Sequence, residues 1–165
     1  MTEETALKPL PIELRLALSD MFERYGEAVD DGEFQRWPEF FTDDCLYRVT
    51  SRENHAAGLS HADLHCEGLA MVRDRADALS DSTVYEPRAM RHIIAMPRAG
   101  LAAGGWIEAR TNFLVVEALS DDDPQVCMSG IYLDVVVPQA GDLRFRQRLC
   151  VYDNYRIRTS LVHPV

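Results

Sequence analysis

Near residue 80 the spacing of apolar residues changes from a helical period to a period of two. Before that point, Leu69, Val72, Ala76 and Leu79 recur every three or four residues, as on one face of a helix. After it, apolar and polar residues alternate through four segments bounded by turn residues, at 90–96, 105–117, 125–137 and 143–153. Helices followed by a long meander predict an α+β fold, with the helices packed on one face of a strongly curved, mainly antiparallel sheet.

The N-terminal part of the chain predicts a helix, an aromatic cluster and a strand. Apolar residues at helical spacing run from Pro11 to a stop at Gly32, and residues 45–51 have the composition of a strand. Between them lie Phe34, Trp37, Phe40 and Phe41. Because exposed aromatic rings would form a large apolar patch, we expect Trp37, Phe40 and Phe41 to pack with Phe22 of the first helix.

Composition restricts the kinds of partner. The 165 residues fit one domain, 1–165, with 1–10 flexible and 154–165 a docking segment. A net charge of −10 opposes binding to nucleic acid or to an anionic membrane surface, and the longest apolar runs are too short to span a membrane. No secretory signal is present, and the four cysteines form no C-x-x-C pair, which is typical of reduced thiols in the cytoplasm.

The sequence offers little to a metal or a phosphate. His61 and His65 lie four residues apart, with Asp63 and Glu67 nearby, but the segment lacks a helical pattern and further ligands at recognisable spacing. The spacings typical of a Rieske cluster, a non-haem iron triad, a Walker loop, a nucleophile elbow or a dinucleotide fingerprint are also missing. We therefore predict no metal and no cofactor in this chain.

The last predicted strand carries a row of arginines. Alternation places Arg144, Arg146 and Arg148 on the face opposite Leu143, Phe145, Leu149 and Val151. The row is compatible with a solvated face that has acidic cross-strand neighbours, or with an interface, where arginine is enriched. The tail beyond it, with Tyr155 and Leu161, is apolar enough to need a covering surface in the same chain or in a partner. We predict an interface formed by Arg144, Arg146, Arg148, Tyr155 and Leu161.

The order of helix, aromatic cluster and strand in residues 25–52 resembles the opening of the cone-shaped fold of nuclear-transport-factor-2-like proteins, scytalone dehydratase and polyketide cyclases. That resemblance implies a pocket in which Asp30, at the end of the first helix, faces His92 on a strand. A carboxyl group in an apolar pocket and a histidine that titrates near neutrality can transfer protons. The alternative is that Asp30 only belongs to a solvated helix end and that His92 is an ordinary strand residue.

Over nearly the whole chain, the sequence also resembles the small (beta) subunits of bacterial aromatic-ring-hydroxylating dioxygenases. Seven pieces match in order, at 37–42 with 47–49, 53–55 with 58–59, 71–75, 91–94, 111–115, 130–134 and 153–155 with 160–161. Within that family, the version with Arg48-Val49-Thr50 followed by Glu53-Asn54-His55 is most similar to systems that act on carboxylated or similar monocyclic aromatics.

This second resemblance implies a non-catalytic assembly subunit in the catabolism of aromatic compounds. The Rieske 2Fe–2S cluster and the mononuclear iron would reside in a separate alpha subunit. Three beta subunits would pack beneath an alpha trimer in a hetero-hexamer, and the Asp30–His92 pair would have no catalytic role. Two alternatives stay open: a stand-alone cone-fold dehydratase or isomerase that uses Asp30 and His92, and a small-ligand-binding module of the same fold.

Overall fold

A computed structural model describes residues 7–81, 86–157 and 161–165 of the chain. The described helices precede most of the sheet: α1 (Ile12–Asp30), a 3-10 helix (Trp37–Phe40), α2 (Arg52–Ala56) and α3 (Leu69–Asp81). The predicted first and third helices are thus confirmed. Helix α2 has no counterpart among the elements predicted above from the sequence. No helix among the described residues is long and apolar enough to cross a membrane.

Eight strands form one curved sheet: β1 (Lys8–Pro9), β2 (Phe41–Ser51), β3 (Leu64–Glu67), β4 (Arg88–Ile94), β5 (Arg98–Leu101), β6 (Ile107–Leu119), β7 (Gln125–Gln139) and β8 (Asp142–Tyr152). Their order is β1-β5-β6-β7-β8-β2-β3, and β4 also pairs with β6. The pairing of β2 with β8 is parallel, and the others are antiparallel. The predicted α+β fold with a mainly antiparallel sheet is confirmed. Strands β1, β3 and β5 are additional, and β1 lies within the first ten residues, of which 1–6 fall outside the described part.

An aromatic cluster fills the junction between helix α1 and the sheet. Trp37 is fully buried, and its ring centroid lies 5.7 Å from that of Phe41. Phe145 of β8 contacts both Phe41, at 5.6 Å, and Phe22, at 5.4 Å, whereas Phe40 packs on Tyr25 at 5.6 Å. The predicted packing of Trp37, Phe40 and Phe41 with Phe22 is therefore present, and it is completed by the rings of Tyr25, Tyr47 and Phe145.

A β-bulge in β8 overturns the predicted arginine row. In the pairing of β7 with β8, Val136 lies opposite Phe145, and Val135 lies opposite Gln147. Arg146 is therefore the extra residue, and the register shifts there. Beyond the bulge the alternation is inverted: Arg148 and Cys150 point into the core, and Arg148 has an exposed fraction of 0%. Arg148 thus cannot contribute to a surface, and its prediction as an interface residue is wrong. A single strand gives no pattern that reveals a bulge.

The C-terminal segment packs against its own chain. Ile157, Leu161 and Val162 are partly buried against the core, and Val165 is buried. Arg75 of helix α3 donates to the carbonyl oxygen of Val162 at 2.7 Å. Leu161 is therefore covered in part by its own chain, and its place in an interface stays a prediction. Tyr155, by contrast, is 92% exposed.

Candidate functional site

The structure brings Asp30 and His92 together. Asp30 is the last residue of helix α1, and its Oδ1 lies 2.6 Å from Nδ1 of His92 on strand β4. Its Oδ2 accepts a second hydrogen bond, from the backbone N–H of His92, at 2.8 Å. The two side chains are 3% and 0% exposed. The resemblance to cone-fold enzymes therefore predicts this juxtaposition correctly.

The contacts of this pair are those of a clamp between helix and sheet. One carboxylate fixes both the ring and the backbone of His92. Gly26 lets the helix approach this strand, since a Cβ there would lie 3.3 Å from Cδ1 of Ile94, tighter than an ordinary contact. The Nε2 atom of His92 is buried without a hydrogen-bond partner in the described part of the chain. Beside the pair, Met90 and His163 line a cavity of about 30 Å³. Neither Asp30 nor His92 is among the residues that line this cavity, so it is not a pocket of the pair.

Residues 161–165 reach into the interior of the cone. The backbone oxygen of Val165 accepts a hydrogen bond from the Tyr25 hydroxyl at 2.8 Å, and the Tyr47 hydroxyl and the Cys150 thiol each lie 3.3 Å from it. The N–H of Val165 donates to the Tyr47 hydroxyl at 2.8 Å. Burial raises the pKa of both tyrosines above the ordinary value and that of Cys150 to about 12, so all three are protonated near neutral pH.

A buried ion pair lies next to this polar group. Arg148 and Asp134 face each other across β7 and β8, with 3.6 Å between Nη1 and Oδ2. The guanidinium carbon lies 3.7 Å from the ring centroid of Tyr132 and 4.0 Å from that of Tyr25. Burial opposes the charged form of Arg148, but Asp134 keeps the pKa of Arg148 above its ordinary value. Burial also raises the pKa of the Asp134 carboxyl to about 7, against the attraction of Arg148.

Sequence analysis missed this pair, although one signal was available. In β7, Tyr132, Asp134 and Val136 share one parity, and the two apolar members predict a buried face. An acid on such a face calls for a cation nearby, because an unpaired buried charge is costly. The identity of that cation depends on the bulge in β8.

The described residues contain no group of three His, Cys, Asp or Glu side chains able to hold a metal ion. His61 and His65 are both exposed. Nε2 of His65 lies 3.8 Å from Glu67, and the backbone carbonyl of His61 accepts from Thr50. The four cysteines are free thiols.

The remaining interface candidates lie on the surface at opposite ends of β8. Arg144 donates to the carbonyl of Glu39 and lines a groove of about 460 Å³ with Asp43 and Arg73. Arg146 is exposed and lies 5.5 Å from the ring centroid of Trp106. Tyr155 follows the other end of the strand. Since a strand rises about 3.3 Å per residue, Arg146 lies roughly 20 Å from Tyr152, where β8 ends, and Tyr155 follows beyond that end.

The outer face of the sheet carries a set of half-buried aliphatic side chains, which we call the outer sheet patch: Leu46, Ile131, Leu133, Val135 and Leu149. Register places Leu133 opposite Leu149. Leu46 and Val135 line one groove of about 370 Å³ together with Arg146. The patch and Arg146 are therefore continuous.

Comparisons with known proteins identify the family. Residues 11–149 match the model of the SnoaL-like domain. The chain is 33% identical over 142 residues to the small subunit of anthranilate 1,2-dioxygenase from Burkholderia cepacia, which covers 86% of this chain and 88% of that subunit. It is 34% identical over 141 residues to a beta subunit of the terminal oxygenase of terephthalate 1,2-dioxygenase from Comamonas, covering 86% and 92%.

A solved structure agrees. A beta subunit from Novosphingobium aromaticivorans, assigned to an aromatic-ring-hydroxylating dioxygenase, superposes with a TM-score of 0.85 at 31% identity, covering 93% of this chain and 98% of that one. The predicted resemblance is thus confirmed along almost the full length of both proteins. The chain belongs to the SnoaL-like family and, within it, to the small (beta) subunits of aromatic-ring dioxygenases.

Proposed function

We propose that this chain is a non-catalytic assembly subunit of a cytoplasmic aromatic-ring-hydroxylating dioxygenase, an oxidoreductase of aromatic catabolism. The observation that carries the proposal is the similarity to two dioxygenase small subunits over nearly their whole length. A cone interior filled by Val165 and a buried Asp30–His92 clamp are what a subunit without its own substrate requires.

The redox centres of the complex belong, in this proposal, to a separate alpha subunit. A Rieske 2Fe–2S cluster and a mononuclear iron need Cys, His and carboxylate ligands at defined spacing. The sequence of this chain offers no such spacing. Its contribution to turnover is then to hold the iron-bearing chains in a productive assembly.

The substrate class we propose is a monocyclic aromatic carboxylate. The named substrates of the two relatives, anthranilate and terephthalate, are both benzene rings that bear a carboxylate. The identity of the ring substituents would be read in the alpha subunit.

For self-association we propose the outer sheet patch together with Arg146. A cyclic trimer joins two different surfaces of each protomer, so an exposed cation needs an acidic surface on the next copy. With 27 acidic residues and a net charge of −10, a second copy of this chain provides one. The aliphatic side chains around Arg146 supply an apolar centre of the kind found in subunit interfaces.

For the alpha subunit we propose the surface around Tyr155. An aromatic ring that is 92% exposed is a typical anchor for a partner protein, and Tyr155 follows the end of β8 that lies away from Arg146. Asn154, next to it, is held rigidly, because its side chain accepts from the N–H of Ser129 and donates to the carbonyl of Cys127. The ring is therefore presented from a fixed point.

Reconstitution of turnover tests the proposal. The iron-containing large subunit is assayed with its electron donors on anthranilate and terephthalate, with and without this chain. We expect activity to require both chains and the isolated small subunit to convert no aromatic substrate. Full activity of the large subunit alone, with no binding of this chain, would refute an assembly role, whereas dehydration or isomerisation by this chain alone would favour the stand-alone enzyme.

A further inference from the structure

Two arginines face each other across neighbouring strands of the sheet. Register pairs Arg98 of β5 with Arg110 of β6, so their side chains project from the same face, and both are exposed. Cβ atoms of directly opposite residues lie about 4.5–5.5 Å apart, and like charges at that spacing destabilise a sheet. In the described part of the chain, neither arginine has an ion pair or a side-chain hydrogen bond. The pair is therefore a positive charge that a bound anion would stabilise.

The pair opens onto a groove on the outer face of the sheet. Arg98 and Arg110 line a space of about 500 Å³ together with Val135 of the outer sheet patch. Val135 and Gln147 also line the neighbouring space that holds Arg146, so the two spaces are continuous. We call the joined space the basic groove. It presents three arginines above an aliphatic floor.

The acidic residues that line the basic groove leave its charge positive. The Asp44 carboxylate accepts from the Thr42 hydroxyl at 2.8 Å, and Glu108 accepts from the indole N–H of Trp106 at 3.1 Å. Both donors are neutral. The third acid, Asp134, is balanced by its own arginine in the interior. Three arginines thus outnumber the two outward carboxylates, in a chain whose net charge is −10.

An acidic loop lies at the other end of the same hairpin. Asp121, Asp122 and Asp123 are exposed in the turn between β6 and β7, which the N–H of Asp122 closes by donating to the carbonyl of Leu119 at 3.3 Å. Within the residues that the structure describes, their carboxylates form no ion pair. The stretch of β6 from Arg110 to Leu119 is roughly 30 Å long. The acidic loop and the basic groove of one protomer therefore cannot meet.

We propose that the Asp121–Asp123 loop of one copy docks in the basic groove of the next. The inference rests on the proposed function and specifies its contact between copies. Arginine forks bind carboxylates bidentately, so the facing pair Arg98 and Arg110 suits neighbouring aspartates, with Arg146 beside them. Because the contact joins two different ends of the sheet, it is heterologous and repeats around a closed ring.

Exchange of charge between the two surfaces tests the contact in the isolated full chain. Arg98→Glu with Arg110→Glu should weaken self-association about thirtyfold or more, and so should Asp121→Lys with Asp122→Lys and Asp123→Lys. The chain that carries both sets should regain the parent's oligomeric mass, because the attraction returns with opposite signs. Sedimentation equilibrium gives the mass and the dissociation constant, and circular dichroism verifies the fold.

Two further variants separate the contact from effects on fold and on net charge. Arg98→Gln with Arg110→Gln relieves the repulsion within a protomer, so the melting temperature of the monomer should not fall, while self-association should weaken at least about tenfold. Glu13→Lys with Glu23→Lys and Glu27→Lys makes the same change in net charge on the exposed face of α1 and should leave self-association as in the parent.

Several results would overturn the contact. They are a monomeric parent chain, an unchanged dissociation constant in either altered surface, or equal effects of the loop and helix substitutions. Unchanged self-association with loss of binding to the large subunit would assign the basic groove to the alpha subunit instead. Reconstitution of turnover tests the proposed function separately, because it asks whether the large subunit needs this chain, whichever surfaces its copies use.

Discussion

The most constrained polar residues of this protein are buried, and each has a structural task that its type alone does not reveal. Asp30 joins helix α1 to strand β4 by accepting from both the ring and the backbone of His92. Arg148 neutralises Asp134 inside an aromatic cage. The resemblance to cone-fold enzymes predicts the first pair, because it implies an acid at the end of the first helix that faces a histidine on a strand. The sequence does not predict the pair of Arg148 and Asp134, because strict alternation along β8, without a bulge, places Arg148 on the outer face of the sheet.

Asp30→Asn tests whether the clamp is structural. In Asp30 the two carboxylate oxygens contact Nδ1 and the backbone N–H of His92. In the variant an amide NH₂ replaces one of these oxygens and meets a donor, so we expect the free energy of unfolding to fall by about 1–3 kcal/mol. The exposed neighbour supplies the control, Asp31→Asn, which should change that free energy by less than about 0.5 kcal/mol. Chemical denaturation measures both.

Turnover of the reconstituted dioxygenase separates the clamp from a catalytic dyad. Proton-transfer residues contribute about 10²–10⁴-fold to rate, whereas a clamp contributes only through the amount of folded subunit. We expect assembled complexes with Asp30→Asn or His92→Ala to keep their rate within about tenfold, so a drop of about a thousandfold in intact complexes would restore the dyad.

Arg148→Met tests the buried ion pair. Removing one partner leaves the Asp134 carboxylate buried and uncompensated, which costs about 3–5 kcal/mol of unfolding free energy. The control change at an exposed arginine outside the proposed contact between copies, Arg36→Met, should cost less than about 0.5 kcal/mol. Adding Asp134→Leu to Arg148→Met should recover much of the loss. Equal effects of the two single changes on the thermal midpoint would contradict the burial of Arg148.

Among the secondary-structure elements, two features depend on tertiary context that local pattern does not contain. Helices α1 and α3 and the four long strands follow from apolar spacing, because each buries one face. The bulge in β8 depends on its fit to β7, and the parallel pairing of β2 with β8 joins strands about a hundred residues apart. The inward course of residues 161–165 likewise depends on the polar group that Tyr25 and Tyr47 form.

The docking of the C-terminal segment should weaken in acid. Burial, reinforced by the positive charges of Arg88, His92 and Arg75, lowers the pKa of His163 to about 4. Glu117 of β6, paired with Arg88, lines the same small cavity. The folded protein therefore favours neutral His163, whereas in the unfolded chain this group takes up its proton near pH 6.5. Stability from this group is complete above about pH 6.5 and is lost as the pH falls toward 4.

A pH series of unfolding free energies on His163→Gln checks this sign. Between about pH 6.5 and 4, the unfolding free energy of the parent should fall by about 1–2 kcal/mol through protonation of His163, and that of the variant should not show this fall. The figure is smaller than the full pKa shift would give, because solvent screens the ring in part. His61→Gln, at an exposed position, should keep the parent's slope. A steeper acid loss in His163→Gln than in the parent would contradict a buried neutral histidine.

The whole molecule is a filled cone whose remaining features face outward. Sequence resemblance predicts the family and the fold, since its matches are spread along the chain. It does not predict which surface is used: of the five interface residues inferred from the sequence, Arg148 is fully buried and Leu161 is covered in part by its own chain. The continuous outer sheet patch with Arg146, and the separate Tyr155, are visible only once the sheet is assembled.

Charge reversal at Arg146 tests the proposed contact between copies. In the isolated small subunit, Arg146→Glu should convert a trimer to monomer, because truncating a buried interfacial charge costs about 2–5 kcal/mol and reversal adds repulsion. Arg36→Glu, exposed beside the 3-10 helix, should leave the mass unchanged. Light scattering gives the mass, and circular dichroism verifies the fold. If both variants are monomeric, or if both remain trimeric, Arg146 has no specific role in the contact between copies.

The most direct test of an assembly subunit is the mass and metal content of its complex. The full chain is co-expressed with its cognate iron-containing large subunit, and the purified assembly is analysed by native mass spectrometry and by iron determination on the separated chains. We predict three copies of each chain, with all iron in the large one. A large subunit that assembles and turns over without this chain, while this chain stays a separate monomer or dimer, would contradict the account.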